Sequence, residues 1–478
     1  MTTIHLNEVK GVFNTPFTFQ TIHISKPCKW LKIHFEKEEK GWCELRIADP
    51  KGVVRAQALL LNERIEMVIS DHYETSSYST VPGPIQEGEW RMEMISMKSI
   101  PFTYHVEIGN NELPSLFPYE IEAFVSNQYE GEFALKAWNP NEEVQSETKW
   151  YKGDFHTHTN LSDGKLTVEE GMESARHMGL DFFVATDHNI IPTKWLKSDI
   201  LVIPGVEITS TKGHFNALGV QKWVDWRPYG EDGGMESEKG MNRILKDVKD
   251  ASGVRSINHP MLKPWDWQFT ETLLEEVDVI EIWNDPTFKD NPKATEEVLH
   301  LWNKLLNDGY RIAGIGGSDS HMRPTEKYPG ATVPSLIGDP ATYVWAEGLS
   351  ASSILNGIKR GSVYVTRFID LKLDIRSDDR EVLLGSEIED DSIVQFTIEL
   401  EKWGEECDIV WVQNGSILLK ETIEPNKSYS YTANFVDSDF QWLRFEIRSK
   451  SGELLAFSNP IYKGKKTPTM KTWGELLN

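Results

Sequence analysis

The chain has 478 residues, of which 39% are hydrophobic, and this is enough apolar material to bury several ordinary cores. Its 74 acidic residues outnumber its 50 basic residues, and the formal charge of -24 disfavours nucleic acid, itself a polyanion, as a main partner. No run of about 18 apolar residues is present to cross a bilayer, and the start MTTIHLNEVK lacks a secretion-signal pattern, so we expect a cytoplasmic protein with no membrane partner.

The cysteine content limits the kind of metal site that the chain can build. Three cysteines occur, far apart and without a CxxC spacing, at Cys28, Cys43 and Cys407. They predict neither a disulfide framework nor a zinc site built on thiolates. Any metal ion must therefore be held by nitrogen and oxygen atoms.

Residues 1–149 have the pattern of an antiparallel β-sandwich. Leu31, Ile33 and Phe35 alternate with polar residues, and the strand-like runs RIEMVIS, EWRMEM and TYHVEI follow, separated by turn-rich pieces. A period of two is typical of strands with one buried face. We therefore predict an N-terminal β-sandwich domain over residues 1–149.

Between residues 150 and 367, short apolar strands alternate with helical segments. The segment TVEEGMESARHMG predicts a helix with a capping box of Thr167 and Glu170 and a stop at Gly179. Further helical segments separate the strand-like runs DFFVATDH, ILVIPGVEI, HFNALGV, VRSINH, VDVIEIW and RIAGIGGSDSH. Repeated strand-helix units predict a parallel sheet or a β/α barrel.

From residue 368 to 478 the period of two returns. Val394, Phe396 and Ile398 share one face of a strand, and Asn414-Gly415 is a strong hairpin signal. This region predicts a small C-terminal β-sandwich-like domain. The whole chain is therefore expected to be a multidomain protein that combines α/β with all-β structure.

The histidines cluster in the middle region in a way that predicts a metal site. Eight of the 13 histidines lie between residues 150 and 367, and six of these fall at the ends of predicted strands: His156, His158, His188, His214, His259 and His321. Residues two apart on a strand point to the same side, so His156 and His158 can face one ion together. The same holds for Asp319 and His321.

Carboxylates accompany these histidines. The carboxyl ends of the strands converge on one face of a strand-helix barrel, where Asp163, Glu207 and Asp319 would join the imidazoles. So many ligands exceed the needs of one tetrahedral ion, and two or three divalent ions are predicted. Nitrogen and oxygen donors suit Zn, Mn or Fe. Asp187 faces away from His188 on its strand and is expected to orient a ligand.

The order of these motifs resembles a known superfamily. HTHTNLSDG, TDHN, GVE, GHFN, NHP and GSDSH together look like the PHP (polymerase and histidinol phosphatase) superfamily. Within it, GHFNALG, RGSVYVT and the flanking β-domains resemble the CehA/McbA-like branch, named for carbaryl hydrolases. The resemblance covers residues 150–367 and implies a distorted (β/α)7 barrel.

The resemblance also implies how the ligands divide among the ions. A first ion would bind His156, His158, Glu207 and Asp319. Glu207 would bridge to a second ion completed by His214 and His259, although His214 could instead face the substrate. A third ion would use Asp163, His188 and His321.

The leading functional hypothesis is a metal-dependent phosphoesterase that acts on a small phosphomonoester or phosphodiester. A bridging hydroxide between two ions can attack while the ions polarise the substrate oxygen, and the superfamily that the chain resembles mainly cleaves phosphate esters. His259 or His321 could serve as the general acid for the leaving group.

A phosphate group also needs polar neighbours beyond the ions. The candidates beside the motifs are Asn160, Asn258, Lys263, Arg323 and Lys327. Each of these could instead be an ordinary solvent-facing loop residue.

Two other functions are compatible with the sequence. A carboxylic-ester, amide or carbamate hydrolase of the carbaryl-hydrolase type is favoured by Trp265, Trp267 and Trp283, since aromatic walls suit a flat organic ligand. A non-enzymatic binding scaffold with structural metals is suggested by the two β-domains. The natural substrate, the metal and the oligomeric state are left open.

Overall fold

The fold is known from a computed structural model that describes residues 4–13, 17–96, 98–377, 380–388, 392–425, 427–435 and 439–478. The chain is rich in β-structure and folds into several sheets with few helices. Within the part of the chain that is described, no helix is both long enough and apolar enough to cross a membrane.

The first region forms two four-stranded antiparallel sheets, as the alternating pattern predicts. Their orders are β1-β8-β3-β6 and β2-β7-β4-β5, and a short strand β9 follows. Residues from both sheets, such as Phe35 and Met92, share one buried hydrophobic cluster. The strands are β1 (Ile4–Val12), β2 (Phe17–Ile24), β3 (Trp30–Lys37), β4 (Cys43–Ala48), β5 (Val54–Leu60), β6 (Arg64–Ser70), β7 (Gly88–Ser96), β8 (Pro101–Gly109) and β9 (Ile121–Ala123).

The middle region carries the predicted strands and four helices. The helix expected after the first motif is α1, with the predicted capping box of Thr167 and Glu170. The helices are α1 (Val168–His177), α2 (Glu238–Asp250), α3 (Asn291–Asp308) and α4 (Ala351–Arg360). The strands are β10 (Gln145–Thr157), β11 (Phe182–Ala185), β12 (Lys194–Leu196), β13 (Leu201–Ser210), β14 (Gly213–Leu218), β15 (Val254–Ile257), β16 (Val279–Asn284), β17 (Ala313–Gly317), β18 (Ala341–Leu349) and β19 (Val363–Thr366).

The strand directions differ from those of the regular parallel sheet that the sequence predicts, and a (β/α)7 barrel is not shown. Strand β14 runs antiparallel to both β13 and β15, whereas β10, β11 and β13 are parallel, as are β15, β16 and β17. The reason is local: β13 and β14 are joined by a tight turn, which permits only an antiparallel hairpin. The seven-strand path β17-β16-β15-β14-β13-β11-β10 nevertheless brings its ends together at a bridge between Thr157 and Ser320.

The last region forms one small antiparallel sheet and the end of a long one. Asn414 and Gly415 make the predicted hairpin between β24 and β25, both with positive φ. The elements are β20 (Asp370–Ser377), β21 (Arg380–Glu381), β22 (Glu387–Ile388), β23 (Ile393–Glu401), β24 (Cys407–Gln413), β25 (Ser416–Ile423), β26 (Tyr429–Asn434), β27 (Gln441–Ser449), β28 (Leu454–Ser458), β29 (Ile461–Lys463) and α5 (Trp473–Leu477).

This last region is continuous with the middle one. Strand β19 pairs with β28, so the sheet runs on across the boundary predicted at residue 367. The C-terminal helix α5 returns to the middle region, where the Trp473 amide donates to the Thr272 carbonyl. The three-domain division stays a prediction.

A buried lysine joins the first sandwich to the middle region. The Lys194 ammonium in β12 donates hydrogen bonds of 2.8 Å to the carbonyls of Tyr73, Ser76 and Ser77. The side chain is fully buried, and burial lowers the pKa of its ammonium group. These three acceptors have to be matched because buried carbonyls without donors are costly.

We expect Lys194→Met to lower the free energy of unfolding by about 2–4 kcal/mol, because the apolar stem is kept while the donor to the three carbonyls is lost. Urea unfolding followed by tryptophan fluorescence measures this change. Lys197→Met is the matched control, since Lys197 is exposed and pairs with Glu120 at the surface. Equal stability of the two variants would contradict the assigned role of Lys194.

Candidate metal centre

The end of β10 places the two histidines of the first motif side by side. The ring centroids of His156 and His158 are 5.1 Å apart. The His156 Nε2 atom lies 3.2 Å from a Glu207 oxygen and 3.4 Å from Asp319 Oδ1. The His158 Nε2 atom lies 3.4 Å from the other Glu207 oxygen and 3.0 Å from Asp319 Oδ1. Four predicted ligands from three distant segments therefore meet.

Glu207 in β13 lies at the centre of the cluster. Besides His156 and His158, its carboxylate is 2.7 Å from His188 Nδ1, 3.1 Å from His214 Nδ1 and 3.5 Å from His259 Nε2. One carboxylate is thus within 3.5 Å of nitrogens from five imidazoles.

Asp163 extends the cluster on the other side of His158. Its Oδ1 atom is 3.3 Å from His188 Nε2 and 3.0 Å from His321 Nε2. The His158 ring is close to both histidine rings, with centroids 4.3 Å from His188 and 4.2 Å from His321, which are themselves 5.7 Å apart. All nine residues predicted as ligands are therefore brought together.

The nine side chains form overlapping groups whose ligand atoms could hold an ion. In each group the candidate atoms lie within 4.8 Å of one another. Glu207 is shared by two groups, as the resemblance implies, but the division differs because His158 also joins the Asp163 group and His214 and His259 fall in separate groups. The groups are His158-Asp163-His188-His321, His156-His158-Asp319, His156-Glu207-His259 and His188-Glu207-His214.

Several buried polar atoms at this site have no hydrogen-bond partner, and bound cations would supply one. Among the described residues, buried atoms without a hydrogen-bond partner include His156 Nε2, both nitrogens of His158, Asp163 Oδ1, Glu207 Oε2 and His259 Nδ1. Leaving each such atom unsatisfied costs about 1–3 kcal/mol, so a native core seldom gathers several at one point. Divalent ions would satisfy one nitrogen of each imidazole and the carboxylate oxygens, and these are the nitrogen and oxygen types that such ions take.

The electrostatics keep the acids charged and one key imidazole neutral. Burial, together with the neighbouring His321 and His188, lowers the pKa of His158 to about 3. Burial alone would raise the pKa of Glu207, but the surrounding imidazoles hold it well below its usual range. The same balance lowers the pKa of Asp163 and of Asp319. Neutral imidazole and ionised carboxylate are the forms that bind metal. Against the effect of burial, the same carboxylates raise the pKa of His156 and of His188 well above its usual value and that of His321 to about 9, so these three imidazoles would release protons when ions bind.

The backbone is strained at two of the predicted ligands. His259 has a φ of 28° and Asp319 a φ of 47°, a region that side-chain-bearing residues rarely occupy. Such strain costs energy and persists where the surrounding structure fixes it, typically at functional sites.

The sequence analysis did not predict Glu281, which contacts two of the predicted ligands. One Glu281 oxygen is 2.9 Å from His156 Nδ1, and the other accepts from the His259 amide at 2.8 Å. A side chain at Gly317 would collide with both His156 and Glu281, so this close approach requires glycine. The available signal was a single charge, Glu281, in the apolar run VIEIW of the predicted strand.

Two further acids fix the backbone that carries the ligands. Asp154 accepts from the amides of His156 and Ser318, each at 3.0 Å, which ties β10 to the segment after β17. Asp187 contacts Thr159 and Ser162 and therefore fixes the loop that leads to Asp163; the sequence had assigned it to orienting a ligand directly.

The cluster lies at the floor of a cavity of about 960 Å³. Six of the nine predicted ligands line it: Asp163, His188, His214, His259, Asp319 and His321. Aromatic side chains form much of its wall, including Trp265, Phe288 and Tyr328 from the middle region and Phe17 and Trp42 from the first sandwich. None of the lining residues, all within the described part of the chain, is a lysine or an arginine.

The residues predicted to bind substrate do not line this cavity. Asn160 lines a smaller, separate cavity, and Asn258 is buried and donates to Glu207 at 2.8 Å. Lys263, Arg323 and Lys327 are exposed. Of the three predicted aromatic residues, Trp265 lines the cavity, whereas Trp267 and Trp283 are buried in the core.

Comparison with known proteins gives weak likenesses. No protein-family model and no curated protein matches the chain. A two-domain protein from Bacteroides vulgatus, containing a predicted PHP-like metal-dependent phosphoesterase, is 17% identical with a TM-score of 0.36, over 70% of this chain and 99% of that one. A candidate metal-dependent phosphoesterase from Bifidobacterium adolescentis is 15% identical with a TM-score of 0.26, over 40% of this chain and 94% of that one. TM-scores this low support no inference of function.

We expect Glu281→Gln to weaken divalent-metal binding by about 10–100-fold, because the amide no longer polarises the His156 ring that would face the ion. Equilibrium dialysis followed by elemental analysis measures the affinity. Glu275→Gln, an exposed residue of the preceding segment, is the control. Unchanged affinity in Glu281→Gln would remove Glu281 from the site.

Proposed function

We propose that the chain is a metal-dependent hydrolase that cleaves a phosphate ester of a small molecule, using two or three divalent ions of Zn, Mn or Fe. The observation that carries this proposal is the Glu207 carboxylate, which lies within 3.5 Å of five imidazoles and belongs to two of the ligand groups. A shared carboxylate is what adjacent ions require. Open space above the cluster argues against purely structural ions, whose coordination shells are closed.

The nine ligands would hold these ions in the overlapping groups described above. When bound, two adjacent divalent ions lower the pKa of a water molecule and polarise the oxygen of the ester. The end of β10 carries His156 and His158; Glu281 contacts the His156 ring at Nδ1, and Asp154 accepts from the His156 amide. The residues of the chain thus pre-orient the donors, so little rearrangement is needed when substrate arrives.

The leaving group needs a proton, and His259 and His321 are the proposed donors. Both line the cavity, but the His321 side chain is 23% exposed while that of His259 is 3% exposed. His321 is therefore the better placed of the two to reach a departing oxygen. Because a histidine nitrogen that is occupied by an ion cannot also donate a proton, His321 would act as the donor when two ions are bound and the Asp163 group holds none.

The order of the sequence motifs leads us to propose membership of the PHP superfamily, and of its CehA/McbA-like branch. The bridge between Thr157 and Ser320, which joins the ends of the seven-strand path, supports a distorted barrel of that type. The two β-rich regions on either side would be separate domains over residues 1–149 and 368–478, and a small-molecule ester would be the partner.

A second candidate is a carboxylic-ester, amide or carbamate hydrolase. The specific observation in its favour is the cavity wall, which is aromatic and apolar and offers no lysine or arginine to a phosphate. A phosphate group would have to be neutralised by the ions alone. An uncharged aryl ester or carbamate would instead bury its apolar part against Trp42, Trp265 and Phe288.

The two candidates are separated by comparing turnover of bis-p-nitrophenyl phosphate with that of an aryl carbamate by the metal-loaded protein. We expect phosphate-ester cleavage, and we expect His158→Ala to lower it by more than about 100-fold because the loss of this ligand disrupts two groups. His177→Ala, an exposed histidine of α1, is the control.

If the protein cleaves the carbamate but does not cleave the phosphate ester, the second candidate is the function. If His158→Ala keeps both activities and its metal content is unchanged, hydrolysis at this site is contradicted. No turnover of any ester by protein of verified metal content would favour the binding scaffold.

A further inference from the structure

A second group of possible metal ligands lies outside the cavity, on the outward face of the first sandwich. His34 in β3 is in register with His105 in β8 on one side and with Glu66 in β6 on the other. Glu107 follows His105 by two residues and therefore shares its face. The alternating residues, such as Ile33 and Tyr104, point into the buried cluster.

This group belongs to a different sheet from the residues that reach the cavity. The first sandwich contributes Phe17, Trp42, Glu44 and Ile95 to the cavity wall, and these come from the sheet β2-β7-β4-β5 and its connections. His34, His105 and Glu107 lie on the opposite sheet, β1-β8-β3-β6. An ion bound here would not contact the candidate hydrolytic centre.

Two imidazoles and a carboxylate lie close together in this group. The His34 and His105 rings are stacked with centroids 4.2 Å apart and planes at 13°. One candidate ligand atom from each of His34, His105 and Glu107 lies within 4.8 Å of the other two. Two imidazoles and one carboxylate, with remaining positions open to water, form a ligand set that Zn, Ni or Cu accepts.

A carboxylate lies near each ring nitrogen of His34. Its Nδ1 atom is 3.2 Å from a Glu66 oxygen, and Glu66 also pairs with Lys32 at 3.1 Å. Its Nε2 atom is buried, has no hydrogen-bond partner among the described residues, and lies 3.7 Å from Glu107 Oε1. Metal-bound histidines commonly donate their second nitrogen to a carboxylate, as the contact between His156 and Glu281 would also provide.

A cation between His34 Nε2 and the Glu107 carboxylate would give this buried nitrogen a partner. We propose that His34, His105 and Glu107 bind one divalent transition-metal ion, with Glu66 orienting His34. The ion would join strands β3 and β8 and thereby stabilise the first sandwich. A protonated His34 paired with both glutamates is the competing arrangement.

The test compares the zinc content of the untagged, full-length protein with that of the double variant His34→Gln/His105→Gln after equilibrium dialysis against Zn²⁺. Both proteins keep the buried centre, so the difference reports the surface group alone. We expect the variant to bind about one ion fewer per chain and to lose part of the rise in melting temperature that Zn²⁺ gives the wild type. His177→Gln should match the wild type.

Two further single variants keep the test decisive. Glu107→Gln should lower zinc affinity at this group while leaving the fold intact, as checked by circular dichroism, and His105→Gln replaces the double variant if that protein does not fold. Equal zinc content in the wild type and in both folded single variants would overturn the proposal and leave His34 as an ordinary salt-bridged residue. Neither result depends on hydrolytic activity, so the proposed function is tested separately.

Discussion

The arrangement of the middle region depends on one buried carboxylate. Glu207 is 1% exposed and lies among five imidazoles drawn from segments as far apart as residues 156 and 259. A carboxylate and several imidazoles can share such a small volume only if charge is balanced, and the unmet atoms around Glu207 point to cations as part of that balance. The need to hold these groups together also accounts for the buried acids Asp154, Asp187 and Glu281, which contact the ligands or the segments that carry them.

The scaffold meets this demand by fixing the ends of a few strands. Asp154 ties β10 to the segment after β17, Glu281 reaches both His156 and His259, and Asp187 fixes the loop that ends at Asp163. Each is a buried acid whose partners are backbone amides or polar side chains near a ligand. Rigid placement of the donors lowers the reorganisation that binding an ion or a substrate would require.

Much of this could be predicted from sequence where the determinant is local. The capping box of Thr167 and Glu170, the Asn414-Gly415 turn and the pairing of His156 with His158 follow from short-range spacing, and all are present. The reversal of β14 was missed although its cause is local, because the tight turn between Ser210 and Gly213 was not recognised and HFNALGV was taken as one more strand of a parallel series. Glu281 was missed because the two ligands that it contacts, His156 and His259, are more than 20 residues away, and the aromatic wall from Phe17 and Trp42 because it comes from another region.

The most direct test of the central claim is an anomalous-scattering map from crystals of protein purified without chelator, recorded at the absorption edge of the metal found by elemental analysis. Two or three peaks should lie among the nine ligands, with Glu207 coordinating at least one of them. Crystals of folded protein with no peak within bonding distance of Glu207, His156 or His158 would contradict the account.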